Sequence, residues 1–187
     1  MCAAIKEIRH QIQQKLIFPH NQNKNKILII YMLSLKQLGD TITQQLENDK
    51  HLRDLSHILN SYNGEDWHKY IKFDETRYVK TIVYCNDYID IFIICWNINQ
   101  SSRIHDHPAA GCLMRILDGK LQEDLYIKDN NNCQFIKSSI LRTNDITYKE
   151  KDHCVHNIIN MDQRTVSLHI YSPSGYKTNY YQNNIAK

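Results

Sequence analysis

From about residue 76 the hydrophobic pattern of this chain changes from a helical period to a period of two, and that switch limits the folds open to it. "RYVKTIVY", "YIDIFIICW", "GCLMRIL", "KLQEDLYI" and "RTVSLHIYS" suit strands and are rich in β-branched and aromatic residues. Many short strands separated by turn signals predict a β-sandwich or a small barrel. Asp118-Gly119 falls between "CLMRIL" and "KLQEDLYI" and predicts a hairpin, because Asp-Gly suits the positive backbone angles of a tight type I′ turn. Asn-rich patches at 21–25 and 129–132 predict turns.

Upstream the spacing is helical: Ile5, Ile8, Ile12 and Leu16 recur on one face, as do Leu52, Leu55 and Leu59. Asp40 before Thr41 predicts a helix start for "TITQQLEN". "ILIIYML", residues 27–33, suits a buried helix or a strand equally. No repeat or linker divides the 187 residues, so one domain is expected: 1–75 a mostly helical cap, 76–175 a β-barrel.

The net charge of +3 comes from Lys and Arg scattered among acids, which favours neither nucleic acid nor an anionic membrane surface. The apolar run at 27–33 is far short of the ~20 residues a bilayer span needs. The N-terminus lacks a signal core, so a soluble, cytoplasmic protein is expected. No apolar seam predicts a dimer, and a monomer is the expectation. The six cysteines contain no CxxC, against a thiolate zinc site. Cys2, Cys85, Cys95, Cys133 and Cys154 read as inert reduced thiols; Cys112 stands apart.

The reason lies in "SSRIHDHPAAGCLMRILDGKL", residues 101–121. Alternate side chains of an extended segment share a face, so His105 and His107 point together with Asp106 turned away. Two imidazoles so placed can take adjacent positions on one transition metal. A third ligand has to come from a distant strand, and His153, His156 and His169 are available. In "TVSLHIY", Thr165, Ser167, His169 and Tyr171 share one face, and Val166, Leu168 and Ile170 the other. The apolar face of a barrel strand ordinarily points inward, but a polar metal cavity calls for the reverse.

These residues resemble the motifs of metal-binding cupins. The first motif reads His105-x-His107, four residues, Cys112, six residues, Gly119, with cysteine where a carboxylate ligand is usual. The second ends in His156, three residues, Asn160, which selects His156 over His153. With that cysteine the chain resembles the cysteine dioxygenases. "ILNSYNGEDWHKYIKFDETRYVKTIV", "IICW", "IHDH", "LDGKLQEDLY" and "VSLHIYSP" match the family's pattern in order, from about Ile58 to Pro173.

The resemblance implies a mainly β fold, a cupin-type small, jelly-roll-like barrel behind an N-terminal helical cap. It implies a non-haem Fe(II) held by neutral His105, His107 and His156, and oxidation of L-cysteine by O2 to cysteine sulfinic acid, a step of cysteine catabolism and taurine biosynthesis. It assigns catalytic support to Ser167, His169 and Tyr171, with His169 hydrogen-bonded to the phenol of Tyr171. It also implies a Cys112–Tyr171 thioether as a protein-derived cofactor, and a cis bond at Ser172-Pro173. Tyr78, Lys80 and Trp96 fall at substrate-binding positions. Lys80 stands where animal members carry arginine; it keeps the charge but not the two-toothed fork. Arg77 and Arg103 are conceivable substitutes. Other expectations stay open: a thiol dioxygenase for 3-mercaptopropionate or cysteamine, a non-catalytic metal-binding cupin, and a zinc hydrolytic site. The last needs a polar general base, for which the sequence offers His169 but places no inward acid.

Overall fold

Ser34 opens the first helix of the computed structural model, which describes residues 32–129, 132–151 and 154–182. Its side chain accepts from Gln37 N (3.3 Å), and Gln37 Oε1 accepts from Ser34 N (2.9 Å), a complete capping box ahead of α1 (Leu35–Glu47). The expected start at Asp40 is therefore six residues late. Asp40 lies inside the helix, with its carboxylate 2.7 Å from Lys36 Nζ one turn back. Leu35, Leu38 and Ile42 form the buried face of α1. Leu52 and Leu55 bracket a 3-10 turn (Leu52–Leu55), and Ile58 and Leu59 are buried in α2 (Ser56–Ser61). Met32 and Leu33 carry no regular structure. The readings at Ile5, Ile8, Ile12 and Leu16, the turn at 21–25 and the rest of the 27–33 run lie outside the described residues.

The period-two segments become β1 (Val79–Cys85), β2 (Asp90–Trp96), β3 (Ile104–His105), β4 (Cys112–Asp118) and β5 (Lys120–Asp129). They continue with β6 (Asn132–Arg142), β7 (Ile146–Lys149), β8 (Val155–Ile159), β9 (Thr165–Tyr171) and β10 (Tyr180–Tyr181). The described strands form two five-stranded sheets, ordered β1-β2-β9-β4-β7 and β10-β3-β8-β5-β6. The chain passes repeatedly from one sheet to the other, the jelly-roll arrangement of a cupin barrel.

Asp118-Gly119 is one of those passages and not a hairpin. Both edges of β4 are already paired, with β7 and β9, and both edges of β5 with β6 and β8, so the two strands cannot pair with each other. Gly119 has φ 89° while Asp118 keeps a negative φ, so the type I′ geometry is absent. A side chain at Gly119 would run into Thr165, which adds a steric demand for glycine. β5 and β6 pair up to their ends, where Asp129 faces Asn132 in register.

Every residue of β9 is buried, because both faces of its sheet are covered. Val166, Leu168 and Ile170 pack outward with Ile91, Ile93 and Leu113 against the helices. Each such side chain stabilises the fold by about 1.5–3 kcal/mol. The guanidinium of Arg115 reinforces this layer, donating to the carbonyls of Leu59 (2.9 Å) and Tyr62 (2.7 Å) at the end of α2. The opposite faces of the two sheets meet in an apolar cluster of Ile94, Trp96, Met114, Ile116, Leu121 and Ile158. The polar residues of β9 share that inner side.

Candidate metal centre and adjoining cavity

His105 on β3 pairs directly with His156 on β8, and His107 follows two residues on, so their rings converge from one sheet and its adjoining loop. One ligand nitrogen from each lies within 4.8 Å of the others. Ring centroids are 5.1 Å apart for His105–His107, 4.7 Å for His105–His156 and 4.5 Å for His107–His156. Burial lowers the pKa of all three, and for His107 and His156 well below the ordinary value, with the neighbouring imidazoles adding to the effect. Three neutral rings with available lone pairs result.

Two rings are held from behind. His105 Nδ1 stands 2.8 Å from the carbonyl of Arg103, and His156 Nδ1 2.8 Å from Glu123 Oε1. Both acceptors require a proton on Nδ1, which leaves each Nε2 as a lone-pair donor. Nδ1 of His107 is buried without a hydrogen-bond partner among the described residues. This donor set fits an imidazole-binding transition metal such as iron or zinc.

Glu123 is an inward acid that the sequence reading did not place. Its second oxygen lies 3.2 Å from Lys149 Nζ, an ion pair whose side chains are 5% and 15% exposed. The bridge runs from β5 to β7 and so joins the two sheets. With both oxygens engaged, Glu123 is not free to serve as the general base a zinc hydrolase needs. Asn160, the other residue of the second motif, is fully buried and acts at a distance from the rings. Its amide donates to the carbonyls of Trp96, Asn97 and Gln163, at 3.1, 2.9 and 2.7 Å, and so shapes the loop after β8.

Beside His105 is a cavity of about 70 Å³, lined by Tyr78, Lys80, Ile94, Trp96, Ser102, His105, Ile158, His169, Tyr171, Thr178 and Tyr180. All three residues expected to bind substrate are here. Tyr78 stacks on Trp96 with centroids 4.5 Å apart. Trp96 Nε1 donates to Ser167 Oγ (2.9 Å), which is also hydrogen-bonded to His169 Nε2 at 2.9 Å. The expected His169–Tyr171 hydrogen bond is replaced by near-parallel rings, 10° apart in plane and 6.2 Å between centroids, while Nε2 is turned to Ser167.

Lys80 is solvent-accessible, yet its ammonium lies 4.0 Å from the ring centre of Phe92 and 4.4 Å from that of Tyr171. Burial of that end lowers its pKa, against the pull of Cys112 and Asp90. Arg77 is exposed, and the Arg103 guanidinium lies outside the cavity, 4.3 Å over the ring of Tyr180. Cys112 and Tyr171 are cross-strand partners whose thiol and phenol are hydrogen-bonded. Burial pushes the thiol up to about 12 and the phenol well above its usual range, so both are protonated. Ser172-Pro173 is cis. Of the cysteines expected to be inert, Cys95 and Cys133 are buried and Cys154 is half-buried. Cys85 is exposed, since β1 is an edge strand, and Cys2 lies outside the described residues.

Comparison with known proteins decides the family. The family model for cysteine dioxygenase type I matches residues 30–184. The chain belongs to the cysteine dioxygenase type I family. Cysteine dioxygenase type 1 of Danio rerio is 31% identical over 150 residues, covering 75% of each chain. The Homo sapiens cysteine dioxygenase type 1 is 31% identical over 134 residues, 67% of each. A double-stranded β-helix protein from Klebsiella pneumoniae superposes with a TM-score of 0.48 at 16% identity, over 62% of this chain and 94% of that one. Among the described residues of this dioxygenase family member, no helix is long and apolar enough to cross a membrane.

Proposed function

We propose that this protein is an iron-dependent thiol dioxygenase that oxidises L-cysteine with O2 to cysteine sulfinic acid. One observation carries the reading: His105, one of three clustered neutral imidazoles, and the cationic Lys80 line the same small cavity. Fe(II) held by His105, His107 and His156 would supply the redox centre at which a thiol and O2 react, and neutral ligands leave it the full positive charge that favours a thiolate.

The protein's own groups do the rest. Lys80 binds the substrate carboxylate through one charge-assisted contact, and the rings of Phe92 and Tyr171 restrict where its ammonium can sit. The Tyr78–Trp96 stack and the Trp96–Ser167–His169 chain give the wall a fixed shape, so thiol and carboxylate reach their partners together. Tyr171 presents a protonated hydroxyl as a donor toward the reacting sulfur and oxygen atoms. A thioether between Cys112 and Tyr171 fixes that phenol further, and their register supports it. Both oxygen atoms of O2 end on sulfur, and the thiol proton is retained in the sulfinic acid. A cytoplasmic monomer remains the reading from composition.

The testing experiment is oxygen uptake by the Fe(II)-loaded protein, with L-cysteine and 3-mercaptopropionate at equal concentration. Faster uptake with cysteine, yielding the sulfinate, is the expected result. Preference for 3-mercaptopropionate assigns the sister activity and makes Lys80 the reason. No uptake with either thiol leaves a metal-binding cupin.

A further inference from the structure

The segment after the cis proline returns across the mouth of the cavity, and it is fastened by the residue between the first two histidines. Asp106 is 4% exposed, and its carboxylate accepts four hydrogen bonds. They come from Tyr176 Oη (2.6 Å), Asn179 N (2.9 Å), Asn179 Nδ2 (2.9 Å) and Tyr181 Oη (2.9 Å). The Asp106 amide returns a bond to the carbonyl of Asn179 at 3.2 Å. The strand so fastened, β10, is two residues long and pairs Tyr180 with His105, too little ladder to hold itself. Between the fastened residues, Thr178 and Tyr180 line the cavity. The ring of Tyr180 is 6.5 Å from that of His105 and is covered by Arg103 at 4.3 Å.

We propose that Tyr180 sets the size of thiol the cavity admits, and that Asp106 holds it in position to do so. The inference rests on the thiol-binding reading of the site. Side chains on the barrel sheets are held by the ladders around them. Tyr180 instead lines the cavity from a strap held at its start by Asp90, through Ser174 and Gly175, and around Tyr180 itself mainly by Asp106, so removing its ring enlarges the cavity without disturbing the barrel. Excluding a longer thiol by one methylene is worth about tenfold or more in a well-packed pocket.

The test measures admission without turnover. The protein is loaded with Co(II) and titrated anaerobically with L-cysteine and with L-homocysteine, one methylene longer, while thiolate-to-cobalt absorption is followed. The unaltered protein is expected to prefer cysteine. Tyr180→Ala is expected to narrow the ratio of the two dissociation constants by about tenfold, and Tyr180→Phe to leave it unchanged. Asp106→Asn keeps the ring but weakens the strap. It is expected to narrow the ratio by less and to speed hydrogen exchange at the Asn179 amide. An unchanged ratio in Tyr180→Ala with Co(II) loading intact overturns the proposal, as does failure of the unaltered protein to bind either thiol. Thiol binding with the expected ratios but no oxygen uptake by the iron form strikes the dioxygenase reading alone.

Discussion

The two sheets hold their functional side chains by different means. On the β10-β3-β8-β5-β6 side, His105 and His156 are each braced by a hydrogen bond of 2.8 Å from behind, and Glu123 is itself clamped by Lys149. On the β1-β2-β9-β4-β7 side, Tyr78, Lys80 and Tyr171 are held by stacking, cation–π contact and a thiol–phenol bond. The first arrangement fixes direction and protonation state together, as a metal ligand requires. The second fixes shape but tolerates adjustment, and on the proposed function Lys80 takes the carboxylate-binding place there. On the proposed function, metal binding falls to the rigid wall and substrate choice to the adjustable one.

The largest break in that contrast comes from the rigid wall. His105→Ala, His107→Ala or His156→Ala is expected to abolish stoichiometric iron binding, read by metal analysis, and to take thiol oxidation to background. Lys149→Met leaves Glu123 as a buried, uncompensated carboxylate, and is expected to cost about 3–5 kcal/mol of stability by denaturant titration. Adding Glu123→Gln to that variant should recover much of the loss, since neither charge is then left alone.

Changes on the adjustable wall act on substrate instead. Lys80→Met is expected to lower kcat/KM for L-cysteine roughly 10- to 100-fold, mainly through KM, the value of one charge-assisted contact. Cysteamine, which has no carboxylate, should be unaffected, and Lys80→Arg should restore cysteine. An equal loss for both thiols would show that Lys80 acts through packing alone.

The buried histidines give a smaller, pH-dependent effect. His107, His156 and His169 are neutral in the fold, with pKa values well below 6.5, and take up protons only when the metal-free chain unfolds. Stability is therefore full above the ordinary histidine range and is lost as pH falls through it, by up to about 1.4 kcal/mol per pH unit for each ring. Thermal melts of the metal-free protein between pH 7.5 and about 5.5 should show the decline, and bound metal should blunt it. The smallest effect is expected from Cys112→Ser. Removing the proposed thioether is expected to free about one side-chain rotation and to lower kcat roughly two- to fivefold. Intact mass checks the link itself, since cross-linked protein is lighter by two hydrogens.

What could be read in advance followed the range of the physical signal. The period of two alone puts His105 and His107 on one face, and places Ser167, His169 and Tyr171 together. The same period puts Glu123 between Leu121 and Leu125, and an acid on an otherwise apolar face was the available sign of its inward role. Ser34 and Gln37 spell a capping box three residues apart, a stronger start signal than Asp40, whose carboxylate is taken by Lys36. Asp118-Gly119 marks a turn correctly, but whether a turn joins neighbours in one sheet or crosses between two depends on strands distant in sequence. Lys149 and Asp106 were illegible for the same reason. Their partners, Glu123 and the 176–181 strap, are brought to them only by the closed barrel.

The most direct test of the account is isotopic. Fe(II)-loaded protein is given L-cysteine under oxygen-18 gas, and the product is examined by mass spectrometry alongside oxygen consumption. The account predicts cysteine sulfinic acid carrying both labelled atoms, with one O2 consumed for each molecule formed. Cystine with peroxide, or no consumption while iron remains bound to the three histidines, would contradict it.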